Sequence, residues 1–175
     1  MKAYEYNRYL DHAVLKPEMT QEESRLAIQL GIDYKVKTVC VRPCDIDMAA
    51  AMCQGTETEV SCVLSFPHGT SPSQIKAAEA QLYIQKGAHE IDMVANYGYI
   101  RSKLWDEVEK DIRAVSEVTR NAGILLKVIL ETSQLTVDEI TQATECAIRA
   151  EADFVKTSTG FYGAGATPEA VEAMV

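Results

Sequence analysis

The chain has 175 residues, 47% of them hydrophobic, and no low-complexity tract, so it can bury one substantial core. Seventeen basic against 26 acidic residues give a net charge of −9, which argues against nucleic acid or an anionic membrane as the main partner. No stretch approaches the roughly 18 apolar residues of a membrane span, and Met1-Lys2-Ala3-Tyr4-Glu5-Tyr6 lacks the apolar core of a secretory leader.

Six short apolar runs are predicted strands: residues 10–15, 38–41, 60–66, 91–95, 124–130 and 154–157. Helix-start chemistry follows several of them. Thr20 with Glu23 makes a capping-box pair, and so does Thr136 with Glu139. Ser71-Pro72-Ser73-Gln74 reads as an N-cap, a proline at the first helical position and a glutamine three residues after the cap; Thr167-Pro168-Glu169 starts the last segment similarly. Gly87 and Gly123 stand where helices should stop. Strand starts recur at roughly the 30-residue length of a βα unit, with no linker between them. Residues 1–175 therefore read as one α/β domain on parallel strands.

Strand parity favours a barrel over an open sheet. Alternate strand residues face opposite sides. One parity collects Cys40, Arg42, Asp92, Asn96, Lys127, Glu131, Lys156 and Ser158; the other is apolar. A doubly wound sheet should be apolar on both faces, whereas a barrel can carry a polar site at its C-terminal strand ends. No GxGxxG follows the first strand and no P-loop is present, which removes the usual nucleotide-binding signals.

The run Asp153-Phe154-Val155-Lys156-Thr157-Ser158-Thr159-Gly160-Phe161 places a lysine in a strand with hydroxyls and a glycine behind it. Desolvation disfavours the charged amine. At the ordinary value near 10.4, only about one lysine in a few thousand is neutral at pH 7. Lowering it by about three units costs roughly 4 kcal/mol and yields a usable nucleophile. Two structural alternatives weigh equally on Lys156 alone: pairing with a carboxylate, or snorkelling from the strand end. Five cysteines (Cys40, Cys44, Cys53, Cys62, Cys146) are an odd number without CxxC spacing, as expected of reduced thiols in the cytoplasm. His12, His68 and His89 are too scattered for a ligand set, so neither a metal nor another cofactor is expected, and activity should survive chelators.

Six ordered blocks resemble the 2-deoxyribose-5-phosphate aldolases, class I aldolases on a (β/α)8 barrel. They are Leu10-Asp11-His12-Ala13-Val14-Leu15-Lys16-Pro17, Thr38-Val39-Cys40-Val41, Phe66-Pro67-His68-Gly69, Glu90-Ile91-Asp92-Met93-Val94, Leu126-Lys127-Val128-Ile129-Leu130-Glu131-Thr132, and the Lys156 run. The resemblance implies a TIM (β/α)8 barrel, of which this chain contains about six βα units. It implies Lys156 as the Schiff-base nucleophile and Asp92 as the proton-relay carboxylate, with Lys127 and Asp11 supporting the relay. Cys40, Thr157 and Gly160 are the expected substrate-binding positions, Gly160 through amides near a phosphate. Each has a plainer alternative: a capping role for Asp92, an ion pair with Glu131 or Asp92 for Lys127, a small buried hydrophobe for Cys40 and a turn glycine for Gly160. The implied substrate is a small phosphorylated sugar, and the implied setting is the cytoplasm; homo-oligomer formation is left open.

The pattern departs at Glu151, where glycine is common in the family, at Arg42, where asparagine is common, and at Asn96-Tyr97-Gly98. A (β/α)8 domain usually needs about 200–250 residues, so a seventh strand with a second lysine and an eighth-strand phosphate loop are expected to be missing. Six units alone would leave open strand edges and a wetter Lys156, giving little activity and a tendency to associate. Two further readings stay open: a Schiff-base aldolase of the same barrel type for another phosphorylated sugar, and a non-catalytic barrel fragment that binds a partner.

Overall fold

The computed structural model describes residues 3–175, and among them the alternation of short apolar runs with capped segments folds into eight α-helices and six β-strands. Met1 and Lys2, part of the stretch read above for a leader, lie outside the described residues. In chain order the elements are α1 (Ala3–Asn7), β1 (Asp11–Val14), α2 (Gln21–Asp33), β2 (Thr38–Val41), α3 (Ile46–Cys53), β3 (Glu59–Leu64) and α4 (Ser73–Gln85). They continue with β4 (Glu90–Val94), α5 (Tyr97–Arg101), α6 (Trp105–Ala122), β5 (Leu125–Ile129), α7 (Val137–Arg149), β6 (Phe154–Lys156) and α8 (Pro168–Glu172). All six predicted strands form, with ends displaced by a residue or two where pairing stops. Among the described residues no helix is long and apolar enough to cross a membrane.

The chain divides into two compact units, Met1–Val63 with Leu82–Glu90, and Leu64–Gln81 with Ile91–Val175. In the first, β1, β2 and β3 pair in parallel in chain order, with Asp11 opposite Thr38 and Thr38 opposite Glu59. Val14, Ile28, Val39, Val41, Ile46 and Val60 are buried there, each contributing about 1.5–3 kcal/mol of transfer free energy. The capping box predicted at Thr20 and Glu23 opens α2. Gly31 lets α2 approach β2: a Cβ there would sit 2.5 Å from Val39 Cγ1. Arg42 closes the end of β2, donating to the carbonyls of Lys16, Pro17 and Met19, to Ser24 Oγ and to Asp45.

In the second unit β4, β5 and β6 follow in chain order, and the parallel β5–β6 register sets Lys127 opposite Phe154 and Ile129 opposite Lys156. Ile91, Met93, Leu126, Val128 and Leu130 are buried in its apolar core, as are Ile112 and Val115 of α6 and Ile140 and Ala143 of α7. The predicted stops and starts hold here in detail. Gly123 ends α6 in the left-handed region at φ 69°, Thr136 and Glu139 form a capping box on α7, and Thr167 caps α8 ahead of Pro168. One start is corrected: α4 begins at Ser73, so Pro72 precedes it. The Ser71 amide donates instead to Ser65 Oγ, and the Ser73 hydroxyl to Asp111.

Candidate active site

β4, β5 and β6 each carry one charged residue of the polar parity to a common point. Asp92 lies between Ile91 and Met93, whose side chains occupy the core, so its own carboxylate projects from the opposite face of β4. Lys156, near the end of β6, donates from Nζ to Asp92 Oδ2 at 2.6 Å. Lys127 on β5 holds its Nζ 4.0 Å from Asp92 Oδ1 and 5.7 Å from the centroid of the Phe154 ring. Asp92 Oδ1 accepts no hydrogen bond among the described residues. The Asp92 side chain is 0% exposed and that of Lys127 13%, whereas Lys156 is 33% exposed. A reachable amine therefore rests on a sealed carboxylate, with a second cation behind it.

Asp92 sits mid-strand between two amines, and among the described residues it accepts its hydrogen bond from Lys156. Lys127 does form the ion pair with Asp92 that was its structural alternative, and this places it against the carboxylate that Lys156 uses. Glu131, its other candidate partner, turns to the chain beyond β6. Glu131 Oε2 accepts from the Thr159 amide at 3.2 Å and from the Thr159 hydroxyl, while Oε1 takes no hydrogen bond among the described residues. Glu131 is wholly buried with φ 56° and ψ 59°, a conformation that costs a non-glycine residue about 1–2 kcal/mol.

The segment after Lys156 is held at several points. The Thr157 carbonyl accepts from the Thr132 amide at 2.8 Å, and the Thr159 hydroxyl accepts from the Phe161 amide at 3.1 Å. The Phe161 ring meets Phe66 edge-on at 5.2 Å, and Tyr162 lies 5.8 Å from His68 between ring centroids. Gly160 has φ +81°, and nothing stands within 4 Å of where a Cβ would be, so its turn conformation and its open side coexist. Tyr97, just past β4, has its phenol pushed upward by burial and by its neighbours Tyr162 and Glu131.

The two remaining predicted site residues belong to the first unit. Asp11 opens β1 and accepts from Thr38 Oγ1 at 2.8 Å, and Thr38 Oγ1 in turn lies 3.1 Å from Ser61 Oγ. Cys40 is buried in β2. Among the described residues no group of three or more His, Cys, Asp or Glu side chains could hold a metal ion. Sequence reasoning placed Glu131 on the polar parity but gave it no task, and it missed Thr159. The usable signal was a carboxylate directly after a strand whose neighbour strand ends in three hydroxyl residues.

Parallel βα units thus bring a lysine, a carboxylate and a second lysine together from three neighbouring strands. A family model described as DeoC/LacD family aldolase matches residues 7–175. The deoxyribose-phosphate aldolase of Streptococcus sanguinis is 46% identical over 168 residues, covering 96% of this chain and 76% of that protein. Among solved structures, an aldolase designated QR15 superposes with TM-score 0.89 at 33% identity, covering 96% of this chain and 74% of that one. The deoxyribose phosphate aldolase of Aeropyrum pernix, described as a unique tetrameric structure, gives TM-score 0.86 at 27% identity, covering 96% and 70%. The chain belongs to the DeoC/LacD aldolase family. Its fold is α/β of the (β/α)8-barrel type, as the parity and the resemblance imply, and the chain carries six of the βα units.

Proposed function

We propose that the chain reversibly cleaves 2-deoxy-D-ribose 5-phosphate to D-glyceraldehyde 3-phosphate and acetaldehyde, with Lys156 as the Schiff-base nucleophile. The observation that carries this reading is the 2.6 Å contact between a partly exposed Lys156 amine and the sealed Asp92 carboxylate. The names of the relatives supply the substrate.

The neutral amine of Lys156 adds to the C1 aldehyde of the open-chain sugar, and the carbinolamine loses water to give an iminium. Loss of the C3 hydroxyl proton then breaks the C2–C3 bond. That bond's electron pair moves into the iminium, leaving glyceraldehyde 3-phosphate and an enamine on Lys156. Protonation of the enamine and hydrolysis release acetaldehyde and restore the amine. The iminium is itself the electron sink, so no cofactor is needed.

Asp92 is placed to take the proton that Lys156 must lose and to return protons in the carbinolamine and enamine steps. Lys127 Nζ lies 4.0 Å from Asp92 Oδ1, close enough to help hold the relay carboxylate in place. Lys127 thus supports the relay, and Asp11 is assigned a supporting role by its match to the family motif. Cys40, Thr157 and Gly160 contact substrate in this reading, with Gly160 offering backbone amides to the phosphate. Both compact units act as one aldolase domain, a reading supported by the unbroken family match over residues 7–175. A cytoplasmic setting is supported by five cysteines that all remain free thiols. Homo-oligomer formation belongs to the same reading, and light scattering tests it.

Borohydride added with acetaldehyde should trap a stable adduct on Lys156, read by peptide mass spectrometry. An adduct on Lys127 instead, or no adduct, overturns the assignment.

A further inference from the structure

A wholly buried carboxylate in a left-handed backbone conformation stands directly after β5, where a glycine would be relaxed. Lys35, Ser65, Lys103 and Glu151 share its positive φ nearer the surface, and Glu131 is the buried one of the five; strain kept in the interior points to a side chain that the position needs. Glu131 uses one oxygen for both donors of Thr159, its amide and its hydroxyl. The Thr159 hydroxyl passes the restraint on by accepting from the Phe161 amide. Between them lies Gly160, with positive φ and open space where a Cβ would stand. The strands beneath continue the same pairing: the Leu130 amide donates to the Lys156 carbonyl at 2.9 Å and the Thr132 amide to the Thr157 carbonyl at 2.8 Å.

We infer that Glu131, acting through Thr159, is a positioning residue that presets the 157–161 turn for the phosphate end of the substrate. The inference rests on the aldolase reading above. Glu131 does not touch the reacting carbon; it fixes the curvature that presents the Gly160 region three to four residues beyond the nucleophile. Without it the turn must be ordered by the substrate at each encounter, and that ordering weakens binding without altering the chemistry at Lys156.

The test separates the two ends of the substrate. Steady-state cleavage of 2-deoxyribose 5-phosphate is measured for the parent, Glu131→Gly, Glu131→Gln, Thr159→Val and Thr159→Ser. Acetaldehyde, which has no phosphate, is trapped on Lys156 with borohydride in each. Glu131→Gly and Thr159→Val should raise KM about tenfold, the factor given by about 1.4 kcal/mol, roughly one hydrogen bond to a carboxylate. Their kcat and their acetaldehyde-trapping rate should stay within about twofold of the parent, well short of that tenfold. Glu131→Gln and Thr159→Ser keep an acceptor and a hydroxyl and should restore KM. Glu131→Gly relieves the backbone strain, so a general folding defect would not explain its loss, and far-ultraviolet circular dichroism checks both disruptive variants. A parental KM in both, or a fall in kcat and trapping with KM unchanged, overturns the inference while leaving the aldolase reading intact. Failure of the parent itself to trap acetaldehyde on Lys156 overturns both.

Discussion

Two lysine–aspartate pairs in the second unit have the same 2.6 Å separation and opposite characters. Lys76 on α4 and Asp111 on α6 are 0% and 3% exposed, and Lys76 also donates to the Val94 carbonyl at 2.9 Å. Asp111 in turn accepts from Ser73. Both Asp111 oxygens accept a hydrogen bond there, and the cluster ties two helices to the end of β4. Lys156 and Asp92 form the more open arrangement: one partner is a third exposed, and among the described residues Asp92 Oδ1 takes no hydrogen bond, with the Lys127 amine 4.0 Å from it. Distance alone does not separate a structural pair from a chemical one. Access to solvent and an unsatisfied oxygen do, because a group must change partners in order to react.

The comparison breaks most sharply under substitution of each lysine. Lys156→Ala should lower the retro-aldol rate by at least about a thousandfold, within the range that a positioned nucleophile and its proton transfer contribute. Its stability should change by less than about 1 kcal/mol, since Lys127 remains beside Asp92 and the lost amine was partly hydrated. Retention of more than a tenth of the parental rate would move the chemistry elsewhere. Lys76→Ala should do the reverse. Leaving Asp111 buried with an uncompensated charge costs about 3–5 kcal/mol, read as a fall in the urea midpoint, while the molecules that stay folded still trap acetaldehyde on Lys156. Adding Asp111→Leu to a Lys76→Met change should recover most of that loss, because an apolar pair can replace a buried ion pair. The Val94 carbonyl would still lack its donor, so recovery should fall short by about 1–3 kcal/mol. If the double variant is as unstable as Lys76→Ala alone, the pair does more than neutralise itself.

The same contrast explains what could be read before any coordinates. Lys156 was conspicuous because a charged residue interrupts a short apolar strand and because three hydroxyl residues and a glycine follow. Asp92 and Lys127 shared its parity, and in a parallel sheet shared parity places side chains on one face, so the core of the site was legible. Lys76 was not. In Ser73–Gln85 it sits among alanines and polar residues with a helical period, where a lysine is ordinarily solvated. Only the approach of Asp111, 35 positions away, makes it interior. The left-handed backbone of Glu131 was equally silent, because nothing local distinguishes a strained glutamate from a relaxed one. Asp11 shows the limit from the other side: family likeness singled it out, and its observed partner, Thr38, follows from strand register rather than from any motif.

The smallest expected effect uses pH to sharpen the difference between the pairs. Burial pushes the Lys76 ammonium below its ordinary value near 10.5, and Asp111 only partly opposes this. In the unfolded chain the lysine keeps its ordinary value. Between the depressed folded value and 10.5 the unfolded state therefore binds more protons, and stability rises with pH across that window. Cys53 acts in the opposite sense: burial raises its thiol from 9.0 to about 11, so the folded state holds the proton longer and stability falls over that interval. Both chains of a comparison between the parent and Lys76→Met contain Cys53, and its contribution cancels in the difference. The parent's advantage over Lys76→Met, measured by urea unfolding from about pH 7 to about pH 10, should grow with pH at no more than about 1.4 kcal/mol per unit. A shrinking advantage would mean that Asp111 holds the ammonium more tightly in the fold than water does outside it, and the sealed pair would then be a source of charge stabilisation rather than a tolerated cost.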